Sequence, residues 1–322
     1  MSAGNLTDSE WPSGASIVII SLAGRDDVFL ACESALCQRY SPLEVIVYLD
    51  SKDESRAAEI ERRFSGVRLI RVDRSRSYIE YRNRGFREAR GAYVFWIDDD
   101  AYFTGAETIA EAVGLLRQDI STAAVAMRYV EPDAQSVAVP PHSALRHGDK
   151  TCGFVGCSVG FRRDAVLALH GMRELFFAYG EERDLAIRML DAGYNIRYVD
   201  SPPIAHMVSP LRNKAVQSSY AVRNTILFDY FNIPFPEVVG KIVADAIKLI
   251  VYKITWKTAW ERIQFVAWGF KSCFSYFRLR RPIKRSVYRN YHTLPRAGAE
   301  HWPPEAIPPH LQSPSASATD SL

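Results

Sequence analysis

The stretch Tyr93-Val-Phe-Trp-Ile-Asp98-Asp99-Asp100-Ala101 is the most informative part of the sequence. Five apolar or aromatic residues in a row are typical of a buried strand, and three carboxylates follow it directly. Alternate residues of an extended chain project to the same side, so Asp98 and Asp100 can face one site while Asp99 points elsewhere. Clustered carboxylates repel one another, and their oxygens suit Mg²⁺ or Mn²⁺. The stretch therefore predicts a metal–diphosphate site, with a solvated acidic turn as the alternative.

Three earlier segments carry the same β-branched, apolar signal, at residues 16–21, 44–49 and 67–72. Helical patterns separate them, at residues 28–39, 54–64 and 78–90. Strands that alternate with helices indicate an α/β, Rossmann-like fold with a mostly parallel central sheet flanked by helices. Such sheets bind ligands beyond the carboxyl ends of their strands, which is where residues 98–101 would lie.

Charge is distributed unevenly along the 322 residues. The net charge is only +3, which argues against nucleic acid as a partner, yet residues 241–300 hold 13 Lys/Arg and 3 Asp/Glu. We predict a flexible N-terminus at 1–14, a catalytic α/β domain at 15–234, a basic, aromatic-rich helical appendage at 235–300 and a disordered tail at 301–322. The sequence has no secretory signal and no run of eighteen uncharged apolar residues, so we expect a cytoplasmic protein.

A second acidic motif, Gly180-Glu181-Glu182-Arg183-Asp184, lies at the start of a predicted helix. The helix dipole alone could account for carboxylates at this position. The functional interpretation is that one glutamate acts as a general base toward an attacking hydroxyl. Upstream, Arg82 and Asn83 could hold a diphosphate or a nucleoside, or could belong to a solvated helix face.

Taken in order, these segments resemble glycosyltransferase family 2, whose members have a GT-A fold. The resemblance covers roughly residues 15–210. It rests on Arg25 after the first strand, Asp50 at the end of the second, Arg82-Asn83-Arg84-Gly85, Asp98-Asp99-Asp100, Gly156-Cys-Ser-Val-Gly-Phe-Arg-Arg163, Gly180-Glu181-Glu182 and His206.

The resemblance implies roles for these residues. Asp100, with Asp98 and His206, would bind Mn²⁺ or Mg²⁺. Glu182 matches the usual Asp of the family's Glu-Asp motif, the general base, while the Glu-Glu found here leaves Glu181 as an alternative. The donor nucleotide sugar would be held by a larger set, with Asp50 at the nucleobase: Arg25, Asp50, Arg82, Asn83, Asp98 and Asp99.

The implied activity is that of an inverting hexosyl- or deoxyhexosyltransferase. It would move a sugar from a nucleotide-diphosphate sugar to a hydroxyl of a saccharide or lipid-linked acceptor, in surface polysaccharide or glycolipid synthesis. A sugar-nucleotide pyrophosphorylase is disfavoured, because Leu22-Ala-Gly-Arg-Asp-Asp27 has one glycine where a phosphate loop would need several. A catalytically inactive GT-A scaffold is disfavoured by the intact Asp98, Asp100 and Glu182.

Two further interpretations concern the C-terminal part of the chain. The basic, aromatic-rich residues 241–296 would bind an anionic membrane surface, which would place the protein peripherally at the inner face of the cytoplasmic membrane. The alternative is a helical cap on the catalytic domain. The stretch Tyr220-Ala-Val-Arg-Asn224 resembles an element of polysaccharide-building relatives and would mark the acceptor side.

Overall fold

A computed structural model of the chain describes residues 10–131, 145–207, 214–251, 256–297 and 300–301. The strands of this part of the chain are β1 (Trp11–Ser21), β2 (Leu43–Asp50), β3 (Val67–Val72), β4 (Gly91–Asp98), β5 (Ala101–Phe103), β6 (Thr122–Glu131), β7 (Val159–Arg162), β8 (Asn195–His206) and β9 (Glu300–His301). The helices are α1 (Asp27–Leu36), α2 (Glu54–Arg63), α3 (Tyr78–Glu88), α4 (Thr108–Gln118), α5 (Arg163–Ala168), α6 (Glu181–Asp191), α7 (Lys214–Asn232), α8 (Glu237–Val251), α9 (Trp256–Ser275) and α10 (Arg285–Tyr291).

These strands form one mixed sheet in the order β3-β2-β1-β4-β7-β6-β8-β5, with β9 paired to β6. The first four are parallel, β7 runs antiparallel between β4 and β6, and β6 is parallel to β8. The predicted α/β architecture with a mostly parallel sheet is confirmed. Because β1, β2 and β4 are parallel neighbours, their carboxyl ends open onto the same edge of the sheet.

Helices cover both faces of this sheet, so its strands are buried on both sides. Along β4, Val94 and Trp96 pack into one apolar cluster, whereas Phe95 and Ile97 pack into the other. This alternation explains why the strand reads as continuously apolar. Next to it on β7, Gly160 is required by packing, since a Cβ there would lie 2.3 Å from a ring carbon of Phe95.

Several boundaries differ from the sequence-based expectations. Strand β1 begins at Trp11, inside the segment predicted to be a flexible terminus, because its amide bonds the carbonyl of Arg90. Within the Gly156–Arg163 motif, the strand is confined to Val159–Arg162. Strand β8 continues through the Pro202-Pro203 pair to His206, which is possible because these prolines leave a carbonyl on each residue to accept hydrogen bonds. Most of residues 131–150 and most of the predicted tail at 301–322 lie outside the described residues.

The C-terminal part is helical, as expected, with α7 packed against both α8 and α9. The predicted domain boundary at 234–235 falls between α7 and α8, and it remains a prediction. None of the helices in the described part of the chain combines the length and apolarity needed to cross a bilayer.

Candidate active site

A cavity of about 360 Å³ opens at the carboxyl edge of the sheet. Five elements contribute to its walls: the end of β1, α3, the end of β4, the first turn of α6 and the end of β8. Most of the charged residues that the sequence singled out line it together: Arg25, Arg82, Asp98, Asp99, Asp100, Glu181, Glu182 and His206.

Asp98, Asp100 and His206 converge on one side of this cavity. Each offers one ligand atom, and these atoms lie within 4.8 Å of one another. His206 reaches the cluster because β5 pairs with β8, and this pairing places Ala101 opposite His206. Its Nε2 lies 3.4 Å from Asp100, and its Nδ1 lies 3.3 Å from Glu131 at the end of β6.

The chemistry of this cluster fits a divalent cation. Two carboxylates with one imidazole form the mixed oxygen–nitrogen donor set that Mn²⁺ accepts. Glu131 on the far ring nitrogen of His206 is the kind of partner that orients a metal-binding histidine. Burial disfavours the charged imidazole, but the hydrogen bonds with Asp100 and Glu131 outweigh it and raise the pKa of His206 to about 9. The neighbouring carboxylates therefore favour a positive charge beside Asp100, carried either by the protonated His206 ring or by a bound cation.

Asp99 lies with Asp100 in the turn between β4 and β5 and does not belong to the Asp98–Asp100–His206 cluster. It accepts hydrogen bonds from the Ser21 hydroxyl at 2.9 Å and from Arg25 at 3.0 Å. The same Arg25 nitrogen lies 2.5 Å from Asp100. Burial raises the pKa of Asp99 to about 7, against the opposing effect of Arg25. Arg25 thus places a positive charge next to the carboxylates of Asp99 and Asp100.

Glu181 and Glu182 lie across the cavity, and the structure distinguishes them. Glu181 is buried, and the Tyr78 hydroxyl donates to it at 2.6 Å. Glu182 has a side chain that is 31% exposed and accepts from the Gly156 amide at 2.6 Å. Burial raises the pKa of both carboxyls above the ordinary value of 4.5. Glu182 is accordingly the glutamate that a second substrate can reach.

Arg82 connects the two acidic motifs. Its guanidinium lies 2.9 Å from Asp98, 3.4 Å from Glu181 and 3.9 Å from Glu182. The arginine also stacks between Tyr78 and Trp96, each ring centroid 4.9 Å away. We expected Arg82 to hold a diphosphate near a helix start, but it lies in the middle of α3 with its charge directed at carboxylates. Its position makes it the residue that fixes the two motifs relative to each other.

This arrangement predicts a large effect of Arg82→Met on stability. Removing the cation leaves three carboxylates close together in a buried site, which should lower the free energy of unfolding by about 3 kcal/mol. Urea unfolding measures the change. Arg84→Met on the same helix is the matched control. Arg84 is part-exposed and contacts Glu88 and the Tyr48 ring, so its loss should cost about 1 kcal/mol or less. Equal losses in the two variants would contradict the assigned role.

The loop before α6 is held by the Tyr220–Asn224 element of α7. The Asn224 side-chain amide donates to the carbonyls of Phe176, Ala178 and Tyr179, at 2.9, 2.6 and 2.7 Å. Arg223 donates to the Leu175 carbonyl at 3.0 Å. These bonds fix the backbone of the loop that immediately precedes Glu181 and Glu182.

Two predicted donor-binding residues lie outside this cavity. Asn83 is buried and bonds the amide and carbonyl of Met172 and the carboxylate of Glu174, so its side chain holds a loop and is not part of the cavity lining. Asp50 ends β2, the strand beside β1, and lies beyond the lining residues.

Sequence reasoning missed Tyr78 and Glu131. Glu131 could have been found, because it ends a strand of the same sheet. Tyr78 gives no signal in the sequence, since its partner lies 103 residues away.

Comparison with known proteins agrees with the fold. Residues 16–166 match the model of glycosyl transferase family 2. A UDP-Glc:alpha-D-GlcNAc-diphosphoundecaprenol beta-1,3-glucosyltransferase, WfaP of Escherichia coli, is 24% identical over 209 residues, which are 62% of this chain and 80% of that protein.

Solved structures show the same architecture at low sequence identity. S. aureus TarS 1–349 in complex with UDP-GlcNAc matches with a TM-score of 0.55 and 13% identity, covering 87% of this chain and 79% of that one. The mannosyltransferase PcManGT from Pyrobaculum calidifontis, in complex with GDP-Man and Mn²⁺, matches with a TM-score of 0.54 and 18% identity, covering 88% and 79%. The chain is thus a nucleotide-sugar glycosyltransferase whose residues 16–166 match glycosyl transferase family 2 and whose fold is that of the GT-A glycosyltransferases.

Proposed function

We propose that the protein is an inverting transferase that moves a hexosyl or deoxyhexosyl group from a nucleotide-diphosphate sugar to a hydroxyl of a lipid-linked saccharide, in surface polysaccharide or glycolipid synthesis. One observation carries the proposal. The cavity has a cation-binding cluster (Asp98, Asp100, His206) on one side and a reachable glutamate of raised pKa, Glu182, on the other. Direct displacement at a sugar carbon needs a positive charge at the leaving diphosphate and a base at the attacking hydroxyl, and these two groups must be separated in space.

The donor would lie on the cluster side. Asp98, Asp100 and His206 would hold Mn²⁺ or Mg²⁺, with Arg25 and Asp99 beside them. A bound cation supplies positive charge to the diphosphate, which gains negative charge as it leaves. Asp50, at the end of the neighbouring strand, would accept from the N–H groups of a nucleobase. UDP- or GDP-sugars fit this arrangement, and they are the nucleotides named for WfaP and PcManGT.

The acceptor would approach from the α6 side. Glu182 would take the proton of the attacking hydroxyl, while the Gly156 amide fixes the carboxylate. A Cβ on residue 156 would lie 2.3 Å from the Glu182 carboxylate, so this contact requires glycine. Glu181, bound by Tyr78 and Arg82, would keep its neighbour in place.

A donor screen tests this proposal. Nucleotide sugars are incubated with the full chain and Mn²⁺, with and without a lipid-linked saccharide, and release of the nucleoside diphosphate is measured. We expect release with one nucleotide sugar, a faster rate with acceptor and no release after addition of EDTA. A chain that releases no nucleoside diphosphate from any donor would refute the proposal.

The raised pKa of Glu182 predicts a pH dependence. The base works only when it is deprotonated, so the rate should rise with pH through its pKa. Burial, together with the neighbouring Glu181, favours the protonated form, and the acidic limb of kcat should therefore have its midpoint well above 4.5. A pH–rate profile measures this midpoint. A limb centred near 4.5 would show that Glu182 is not the titrating base.

We also propose that the appendage binds an anionic membrane surface. Helix α8 exposes an apolar stripe on four successive turns: Val239, Val243, Ile247 and Val251, each 51–58% exposed. Helix α9 adds Trp260 and Phe274, which are 63% and 82% exposed. Basic residues flank these apolar faces, which is the composition of helices that lie in a membrane interface.

A single substitution tests the membrane proposal. Ile247→Asp should lower the fraction of protein that floats with phosphatidylglycerol vesicles about tenfold, because it replaces an inserting side chain by a charge. Ile120→Asp is the matched control. Ile120 is 73% exposed but lies just after α4, outside the appendage, so this variant should float like the wild type. Equal flotation of all three proteins would rule out α8 as the contact.

A further inference from the structure

A second cavity, of about 730 Å³, lies between the start of α6 and the C-terminal helices. It shares no lining residue with the active-site cavity. Its walls come from α6, α7, α8, α9 and residues 291–296. Five cationic side chains line it: Arg183, Lys241, Lys248, Arg262 and Arg296.

Cationic side chains outnumber carboxylates in the described lining of this cavity. Lys241 pairs with Asp245, the single carboxylate in the lining. Arg183 stacks on Phe228, 3.7 Å from the ring centroid, and Arg296 donates to the Tyr291 hydroxyl at 3.4 Å. Even with the buried Asp229 nearby, cations exceed carboxylates by five to two. A cavity of this kind selects anions.

His292 is exposed to the positive charge of the same cavity. His292 lines the cavity, and burial together with the charges of Arg183 and Lys241 lowers its pKa. At neutral pH this imidazole is therefore uncharged and can donate or accept a hydrogen bond. Arginine forks are suited to bidentate contacts with phosphate oxygens, so phosphate is the anion that this set of side chains fits best.

The cavity lies between the catalytic residues and the exposed apolar surface. Glu182 lines the active site, and the next residue, Arg183, lines this cavity, so both cavities border the first turn of α6. On the other side, Lys241 and Lys248 lie on α8, whose opposite face carries the apolar stripe of Val243 and Ile247. A lipid with an anionic head group would suit this arrangement, because its charge matches the cationic cavity and its chain matches an apolar surface nearby.

We infer that this cavity binds the phosphate or diphosphate head group of a lipid, whose chain would enter the membrane that the apolar stripe of α8 contacts. The inference rests on the proposed transfer to a lipid-linked acceptor, whose diphosphate is one source of this chemistry. The phosphate of a bulk anionic phospholipid is the other source. The acceptor's sugar would extend toward Glu182.

The test measures binding to two kinds of vesicle, without donor or metal. Both are phosphatidylcholine vesicles of equal surface charge, containing either a polyprenyl diphosphate or phosphatidylglycerol. The variant is Lys248→Gln/Arg296→Gln, which changes two exposed side chains and should leave the fold intact, as circular dichroism checks. The control is Arg39→Gln/Arg62→Gln, with the same change in charge at side chains that are 78% and 71% exposed and distant from the cavity.

We expect the cavity variant to lose about tenfold or more in affinity, since each cation near a lipid phosphate contributes severalfold, while the control changes by less than about twofold. A larger loss on diphosphate vesicles assigns the cavity to the acceptor, and an equal loss on both assigns it to bulk phospholipid. Unchanged binding on both vesicles would overturn the inference. No sugar is transferred in this assay, so its outcome is independent of the proposed activity.

Discussion

Replacing Glu182 by glutamine is expected to lower kcat by about 10³-fold, within the range that general-base catalysis supplies. The amide keeps the size of the side chain and can still accept from the Gly156 amide, but it cannot take a proton. Donor binding depends on the opposite side of the cavity, so the KM for the nucleotide sugar should change little. Steady-state rates of nucleoside diphosphate release with a saturating acceptor measure both quantities.

Two matched variants make this result specific. Glu182→Asp keeps a carboxylate and should retain much more activity than the glutamine variant. Glu181→Gln keeps the volume of the buried neighbour and can still accept from Tyr78, so its effect should be smaller than that of Glu182→Gln. If Glu181→Gln were the more damaging change, the roles of the two glutamates would have to be exchanged.

Replacing Asp100 by alanine is expected to have an effect of comparable size. Asp100 is 1% exposed and lies within 3.4 Å of both Arg25 and His206, so its loss removes the carboxylate at the centre of the cation-binding cluster. Stabilisation of a leaving diphosphate contributes several kcal/mol, which corresponds to a rate loss of about 10³-fold or more. Mn²⁺ affinity, measured by calorimetry, should fall in parallel.

The buried position of Asp100 requires a second variant. Asp100→Asn preserves the volume and keeps one oxygen for Arg25, so it separates loss of charge from loss of packing. It should fold like the wild type in thermal unfolding, yet bind Mn²⁺ weakly and transfer sugar slowly. A folded Asp100→Asn protein with a wild-type rate and wild-type Mn²⁺ affinity would remove this residue from the proposed site.

Much of the architecture could be predicted because it depends on local patterns. The apolar runs of β1 to β4 alternate with amphipathic helices, and their parallel pairing follows from that order. The carboxylates after β4 could be placed at the ligand-binding edge for the same reason. The family resemblance adds the start of α6 to the same site.

Other features depend on contacts between residues far apart in the sequence. Arg82 was expected to bind a ligand, but its partners Asp98 and Glu181 lie 16 and 99 residues away and compete for its charge. Asn83 follows it directly, yet points to the Met172 backbone. Helix geometry sends consecutive side chains in different directions, and only the packing of α3 decides which one faces the cavity.

The choice between Glu181 and Glu182 illustrates the same limit. Their shared position at a helix start is visible in the sequence, and it makes them equivalent as charges near a dipole. Burial separates them: Tyr78 and Arg82 enclose Glu181, while Glu182 faces open space beside Gly156. The basic cavity behind α6 likewise combines cations from four separate segments, so no local sequence motif indicates it.

The stereochemistry of the product tests the central claim most directly. The nucleotide sugar found in the donor screen, with an α-linked sugar, is incubated with acceptor, and the new linkage is determined by proton NMR from the anomeric coupling constant. Single displacement with Glu182 as the base predicts a β linkage. An α linkage would contradict the account, because it would require two displacements or a front-side mechanism, for which Glu182 as the single base would not suffice.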